Sequence, residues 1–142
     1  MKITSIKIII ILLFNLLSAG YLYSQENTSF DDCDKLLNSG YISNGQEYKA
    51  KLDENNKAKF HATFYGGSNY RVITCTDNKN FPLVFSVYDR EKNLLFCNRD
   101  YDYTSYWNFT FTSTIECIIE IELICDKHIK DEVMLLIGFK EK

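Results

Sequence analysis

Residues 115–123 place Ile115, Cys117, Ile119, Ile121 and Leu123 on one phase and Glu116, Ile118, Glu120 and Glu122 on the other. A period of two over such a run fits a half-buried strand and no helix face, because successive strand side chains point to opposite sides. The same period returns in Phe60, Ala62 and Phe64 and in Trp107, Phe109 and Phe111, and more weakly in residues 46–52. Tyr70–Thr76, Leu83–Tyr88, Leu94–Cys97 and Val133–Phe139 are further β-rich runs. Gly66-Gly67-Ser68-Asn69 and the polar stretch Asp89–Asn93 read as turns between them. About eight short strands at intervals of about 10–12 residues imply an all-β sandwich or barrel.

Ahead of these strands, Asn27–Gly40 carries a helical pattern, expected to be helix over about 31–37. Phe30, Cys33, Leu36 and Leu37 share one face, Ser29 is placed to cap the start, and Asp31 and Asp32 suit its positive end. Gly40 suits the end.

The first 25 residues read as an address rather than as part of the fold. Lys2 and Lys7 precede the apolar run Ile8–Leu17, and small and polar residues lead to Ser24-Gln25. That order is a secretory signal peptide, and the apolar core is shorter than the roughly 20 residues that span a bilayer. The expected organisation is a cleaved leader over 1–25 and one β-sandwich domain over 26–142, with strands from about 46 to 140 and no membrane insertion after cleavage. Losing Lys2 and Lys7 takes the formal charge from −3 to −5. An acidic chain of this kind lacks the basic surface that nucleic-acid binding needs. All five cysteines, Cys33, Cys75, Cys97, Cys117 and Cys125, follow the leader, where an oxidising periplasmic or extracellular compartment permits bridges.

Catalytic and metal chemistry find little material here. His61 falls on the polar phase of a strand and His128 in the charged stretch Asp126–Glu132, so neither reads as a partner for a thiol. The cysteine spacings match no zinc pattern and contain no C-x-x-C. Asn98, Asp100 and Asp102 put oxygens at alternate positions, as a calcium loop does, but without its central Gly and late Glu, and with Arg99 among them. No catalytic residue, metal or cofactor is expected. Glu116, Glu120 and Glu122 read as an outward acidic face. The sharpest local feature is Asp100-Tyr101-Asp102-Tyr103-Thr104-Ser105-Tyr106-Trp107. Tyr101, Tyr103 and Tyr106 offer flat amphipathic area, and Asp100 and Asp102 accept hydrogen bonds from sugar hydroxyls or basic side chains. A contact surface for an envelope glycan or protein is expected there, with Tyr101 and Tyr103 facing solvent and removable at little cost in stability.

Phe60–Phe139 resembles the bacterial pre-peptidase C-terminal domain, a secreted jelly-roll-like β-sandwich. The resemblance rests on Tyr70-Arg71-Val72-Ile73, Leu83–Asp89, Lys92-Asn93-Leu94-Leu95, Trp107–Phe111, the Ile-rich strand and Leu135-Leu136-Ile137-Gly138. The whole is similar to small stand-alone exported proteins of Bacteroidetes type. The resemblance implies that strands starting near 46, 134, 70 and 107 share one sheet and those near 58, 115, 83 and 94 the other. It also puts Cys75 and Cys117 at opposite ends of the sandwich. Cys33–Cys75 is then the expected bridge, tethering the N-terminal helix, with Cys117 a buried thiol. The implied role is a non-catalytic exported binding or accessory module. The alternative is an envelope structural or inhibitor protein acting through protein–protein contact.

Overall fold

The computed structural model describes residues 27–37 and 40–141, so the expected leader over 1–25 lies outside the described residues. One helical turn, α1 (Phe30–Cys33), runs into a 3-10 turn over Asp34–Leu37. The strands are β1 (Ile42–Lys51), β2 (Lys57–Phe64), β3 (Ser68–Cys75), β4 (Leu83–Asp89), β5 (Leu94–Cys97), β6 (Tyr106–Thr110), β7 (Ile115–Leu123) and β8 (Glu132–Glu141). They form two four-stranded sheets of order β1-β8-β3-β6 and β2-β7-β4-β5. Every pairing is antiparallel. These are the two strand sets that a jelly-roll order implies, and the fold is an all-β sandwich.

The core follows from the alternation. Phe60 and Phe64 of β2, Ile119, Ile121 and Leu123 of β7, and Phe85 and Val87 of β4 turn inward from the second sheet. Val72, Val133 and Leu135 meet them from the first. Each such aliphatic or aromatic side chain stabilises the fold by roughly 1.5–3 kcal/mol on burial.

The outer face of the first sheet is also covered. Cys33, Ile73, Cys75, Met134 and Leu136 make a second buried cluster, against which Phe30, Leu36 and Leu37 pack. A disulfide joins Cys33 to Cys75, whose Cα atoms lie 6.1 Å apart, within the ordinary span of a bridge. Arg71 clamps the same segment. Its Nη1 donates to Leu36 O at 2.8 Å and its Nε to Asn108 Oδ1 at 2.8 Å. Its guanidinium lies between the rings of Tyr41 and Tyr106, 4.4 and 4.6 Å from their centroids. Close approach here needs Gly138, because a Cβ at that position would run into Leu37 Cδ2 and stand 3.2 Å from Tyr41 Cβ.

The N-terminal helix is shorter and tighter than its apolar spacing suggests. Arg71 takes the Leu36 carbonyl that a continuing α-helix would use, and short segments of this kind close as 3-10 turns. Ser29 does not act as the side-chain cap expected of it. Its hydroxyl donates to Asp32 Oδ2 at 3.0 Å, while its backbone carbonyl accepts from the Asp32 N–H at 3.1 Å. β1 begins at Ile42, earlier than the alternation shows, because a register shift between Ser43 and Glu47 breaks the period of two.

Cys117 faces the inter-sheet core at 2% exposure. Burial, and secondarily the charge of Asp89, pushes its thiol up to about 11, which suppresses the reactive thiolate. Cys97 and Cys125 are unbridged and only half-buried. A thiol-specific reagent should therefore modify Cys97 and Cys125 in the folded protein, and Cys117 only after denaturant is added. Equally fast labelling of Cys117 in the folded state would contradict its burial.

Candidate functional site

Between β5 and β6 the chain makes a 3-10 turn over Asn98–Tyr101 and passes Asp102 and Tyr103, both left-handed at φ 54°. Asn98 holds this loop. Its fully buried amide accepts from the Phe85 N–H at 3.0 Å through Oδ1. Nδ2 donates to Leu83 O at 3.1 Å and Thr104 O at 3.0 Å, and the Asn98 backbone carbonyl accepts from the Tyr103 N–H at 3.0 Å. One side chain thus ties the loop to the start of β4. This oxygen is turned into the interior and committed to a backbone donor, so the alternate-oxygen run from Asn98 does not form a calcium loop. Among the described residues no His, Cys, Asp and Glu side chains gather as a metal group.

Asp100, Tyr101, Asp102 and Tyr103 are brought together at the surface. Tyr101 is more than a surface residue. Its ring stacks on Phe96 at 5.4 Å and lies 4.4 Å from Trp107, so it closes the core between the β5 and β6 edges. The expectation that it can be removed at no structural cost is corrected by that packing, whereas Tyr103 has no such ring contact. Tyr106 leaves the group altogether. Trp107 packs against the inter-sheet core, so the preceding residue points to the opposite face, where Tyr106 lies under Arg71.

Leu94 and Leu95, on β5 just before this loop, are also exposed, and sequence reasoning missed them. Among the described residues six large apolar side chains are exposed, and four of them, Leu94, Leu95, Tyr101 and Tyr103, fall within one strand and the turn after it. The register shift opposite Val87 and Tyr88 pairs Val87 with Phe96 and Tyr88 with Leu94. Three consecutive apolar residues, Leu94-Leu95-Phe96, cannot all face a core on a pleated strand, and that was the available signal.

The outer face of the second sheet carries the glutamates, which form an ion-pair ladder instead of a merely solvated acidic face. Glu120 accepts from Lys57 at 2.9 Å and lies 3.3 Å from Lys59, and Lys57 also approaches Glu122 at 3.6 Å. Burial alone would raise the Glu120 carboxyl, but the lysine hydrogen bonds and charges outweigh it and hold the group below its ordinary value. A carboxyl depressed in the folded state stabilises above its unfolded pKa, and that contribution disappears as pH falls through the folded value. Glu120→Gln should accordingly flatten the loss of melting temperature between about pH 5 and pH 3. An unchanged slope would mean that the ladder contributes nothing. His61 on β2 and His128 after β7 are exposed, and among the described residues neither is hydrogen-bonded to a thiol.

No protein-family model matches the chain, and no curated protein matches it. The chain is similar in structure to Aeromonas hydrophila PliG, a periplasmic lysozyme inhibitor of g-type lysozyme. The match has a TM-score of 0.52 at 10% identity and covers 70% of this chain and 91% of that one. At such identity the likeness is one of fold. Of the resemblance to the pre-peptidase domain, the β-sandwich is the part that the structure shows.

Proposed function

We propose that this is an exported protein, periplasmic or extracellular, that inhibits a secreted or envelope-acting enzyme by direct protein–protein contact. The surface offered to the target is Leu94, Leu95, Asp100, Tyr101, Asp102 and Tyr103. The observation that carries this reading is that, among the described residues, most of the exposed large apolar side chains fall on β5 and on the loop after it, beside two exposed carboxylates, with that loop pinned by Asn98. Scattered apolar residues are ordinary on a surface, but a cluster rimmed by polar groups marks an interaction site. The disulfide suits an oxidising compartment. The acidic net charge favours a cationic target and speeds encounter with it. The sandwich shared with a periplasmic inhibitor supports the inhibitor reading over a glycan-binding accessory role. The broader description, a non-catalytic exported binding module, contains it.

Because the fold is shared with an inhibitor of g-type lysozyme, that enzyme is the first target to test, by lysis of a cell-wall suspension and by direct binding. Inhibition should weaken as salt rises. Tyr103→Ala should cost about 2 kcal/mol of binding, near thirtyfold, if Tyr103 is a hot spot, while shifting the melt little. Full lytic activity and no binding at saturating concentrations, for g-type lysozyme and for other cationic muralytic enzymes, would overturn the inhibitor reading.

A further inference from the structure

The opposite edge of the second sheet has a different character. β2 pairs with β7 alone, in an unbroken register from Lys57–Glu122 to Phe64–Ile115. The Leu123 N–H donates to Asn56 O at 3.0 Å, which makes Asn56 a bonded position and, by alternation along an antiparallel ladder, turns the N–H and C=O of Lys57, Lys59, His61 and Thr63 away from β7. Lys57 confirms this phase. Its carbonyl accepts from the Asp53 N–H at 2.8 Å and its N–H donates to Asp53 Oδ1 at 2.9 Å, both off the β7 side. Asp53 caps only that residue. Among the described residues, the outward backbone groups of Lys59, His61 and Thr63 have no hydrogen-bond partner.

A groove of about 590 Å³ runs beside His61 and Thr63, between the β2 edge and the first sheet. Its walls include Tyr48, Tyr65 and Tyr70, with Ile137 and Phe139 also lining it, and Ala62 leaves it open on the β2 side. Tyr70 Oη accepts from the Tyr65 N–H at 2.9 Å, which sets one end of the groove. On the solvent side of β2 the column is Lys57, Lys59, His61 and Thr63; Lys57 is taken up by Glu120 and Glu122 of β7, while Lys59 lies 3.3 Å from Glu120 with its side chain 62% exposed.

We propose that this edge is a second binding site, which takes an extended segment of a partner protein as an added β-strand. Unpaired backbone groups at alternate residues call for another backbone, and alternate side chains of the added strand meet different surroundings. One phase enters the groove and suits a large apolar side chain. The other lies beside the exposed ammonium of Lys59, where an opposite charge pairs favourably across strands, so it suits Asp or Glu. The partner segment is therefore an acidic–apolar alternation. Edge lysines commonly keep strands from adding to a sheet, and the charge of Lys59 disfavours a basic strand more than an acidic one. The site lies on the far edge of the sheet from β5 and does not depend on the inhibitor reading.

The probe is a synthetic peptide of alternating Glu and Phe, titrated into the full protein. Its controls are a Lys-for-Glu version and a backbone N-methylated version of the same sequence. The acidic peptide should bind at least about tenfold more tightly than either control, which is the effect of lost cross-strand charge or backbone bonds. Amide exchange at Lys59, His61 and Thr63 should slow on binding. Thr63→Pro removes one outward donor, which an edge strand tolerates, and should weaken the peptide by a similar factor without loss of the cooperative melt. Equal affinity for the N-methylated peptide, protection confined to Leu94–Tyr106, or no binding up to about 1 mM would overturn the proposal.

Discussion

Replacing both Cys33 and Cys75 by serine is expected to lower the melting temperature by about 15 °C. The bridge closes a loop of sequence separation 42. Restricting the unfolded chain to that extent contributes about 4 kcal/mol in the chain-entropy picture, and a domain of this size loses roughly 4 °C per kcal/mol. The structural consequence is local before it is global. Phe30–Leu37 would be held by the packing of Phe30, Leu36 and Leu37, the Phe30 N–H bond to Asp77 and the Arg71 clamp, so hydrogen exchange at Ile73, Met134 and Leu136 should rise more than in β7. Calorimetry of the double variant beside the reduced wild type measures the first effect and exchange mass spectrometry the second. A loss under about 3 °C would show that packing alone secures the N-terminal segment.

Asn98→Ala carries the other large effect. It strands the Phe85 N–H and the Leu83 and Thr104 carbonyls inside the protein. Each orphaned buried group costs about 1–3 kcal/mol, so the variant should lose about 3–5 kcal/mol, a large part of what a typical domain has. Urea denaturation reads that loss directly. Asn98→Asp should recover little of it, since a carboxylate donates to neither carbonyl and adds a buried charge. A loss under about 1 kcal/mol for the alanine variant would mean that water replaces the amide. Because the same bonds seat the loop, target binding through Tyr103 should fall along with stability.

Strands were legible wherever one face is dry and the other wet. Ile115–Leu123 shows this most plainly, since from Glu116 to Leu123 its alternation and its burial coincide residue by residue. The grouping of strands into sheets came from the family resemblance, because alternation shows which side of a strand is inward and not which strand lies beside it. Tyr106 illustrates a reading that the sequence contained but that aromatic clustering obscured: with Trp107 inward, strand parity sends Tyr106 outward. Asn98 is a different case. An Asn after a strand reads as a turn or a ligand, and its role as a three-bond peg exists only because the start of β4 and Thr104 converge on it from either side in the chain. The 3-10 turn at Asp34–Leu37 is illegible for the same reason, since Arg71 reaches it from 35 residues away.

The strand order has a kinetic consequence. β8 lies between β1 and β3, and β7 lies between β2 and β4, so both sheets receive an interior strand from the last third of the chain. Of the six pairings only β4–β5 joins consecutive strands. A nascent chain that ends before Ile115 holds just the β3–β6 and β4–β5 ladders, too little to bury the residues that later make the core. Contacts this distant in sequence also make for folding in milliseconds to seconds rather than microseconds. The polypeptide thus stays threadable until its C-terminal strands arrive, a delay that suits the export proposed above.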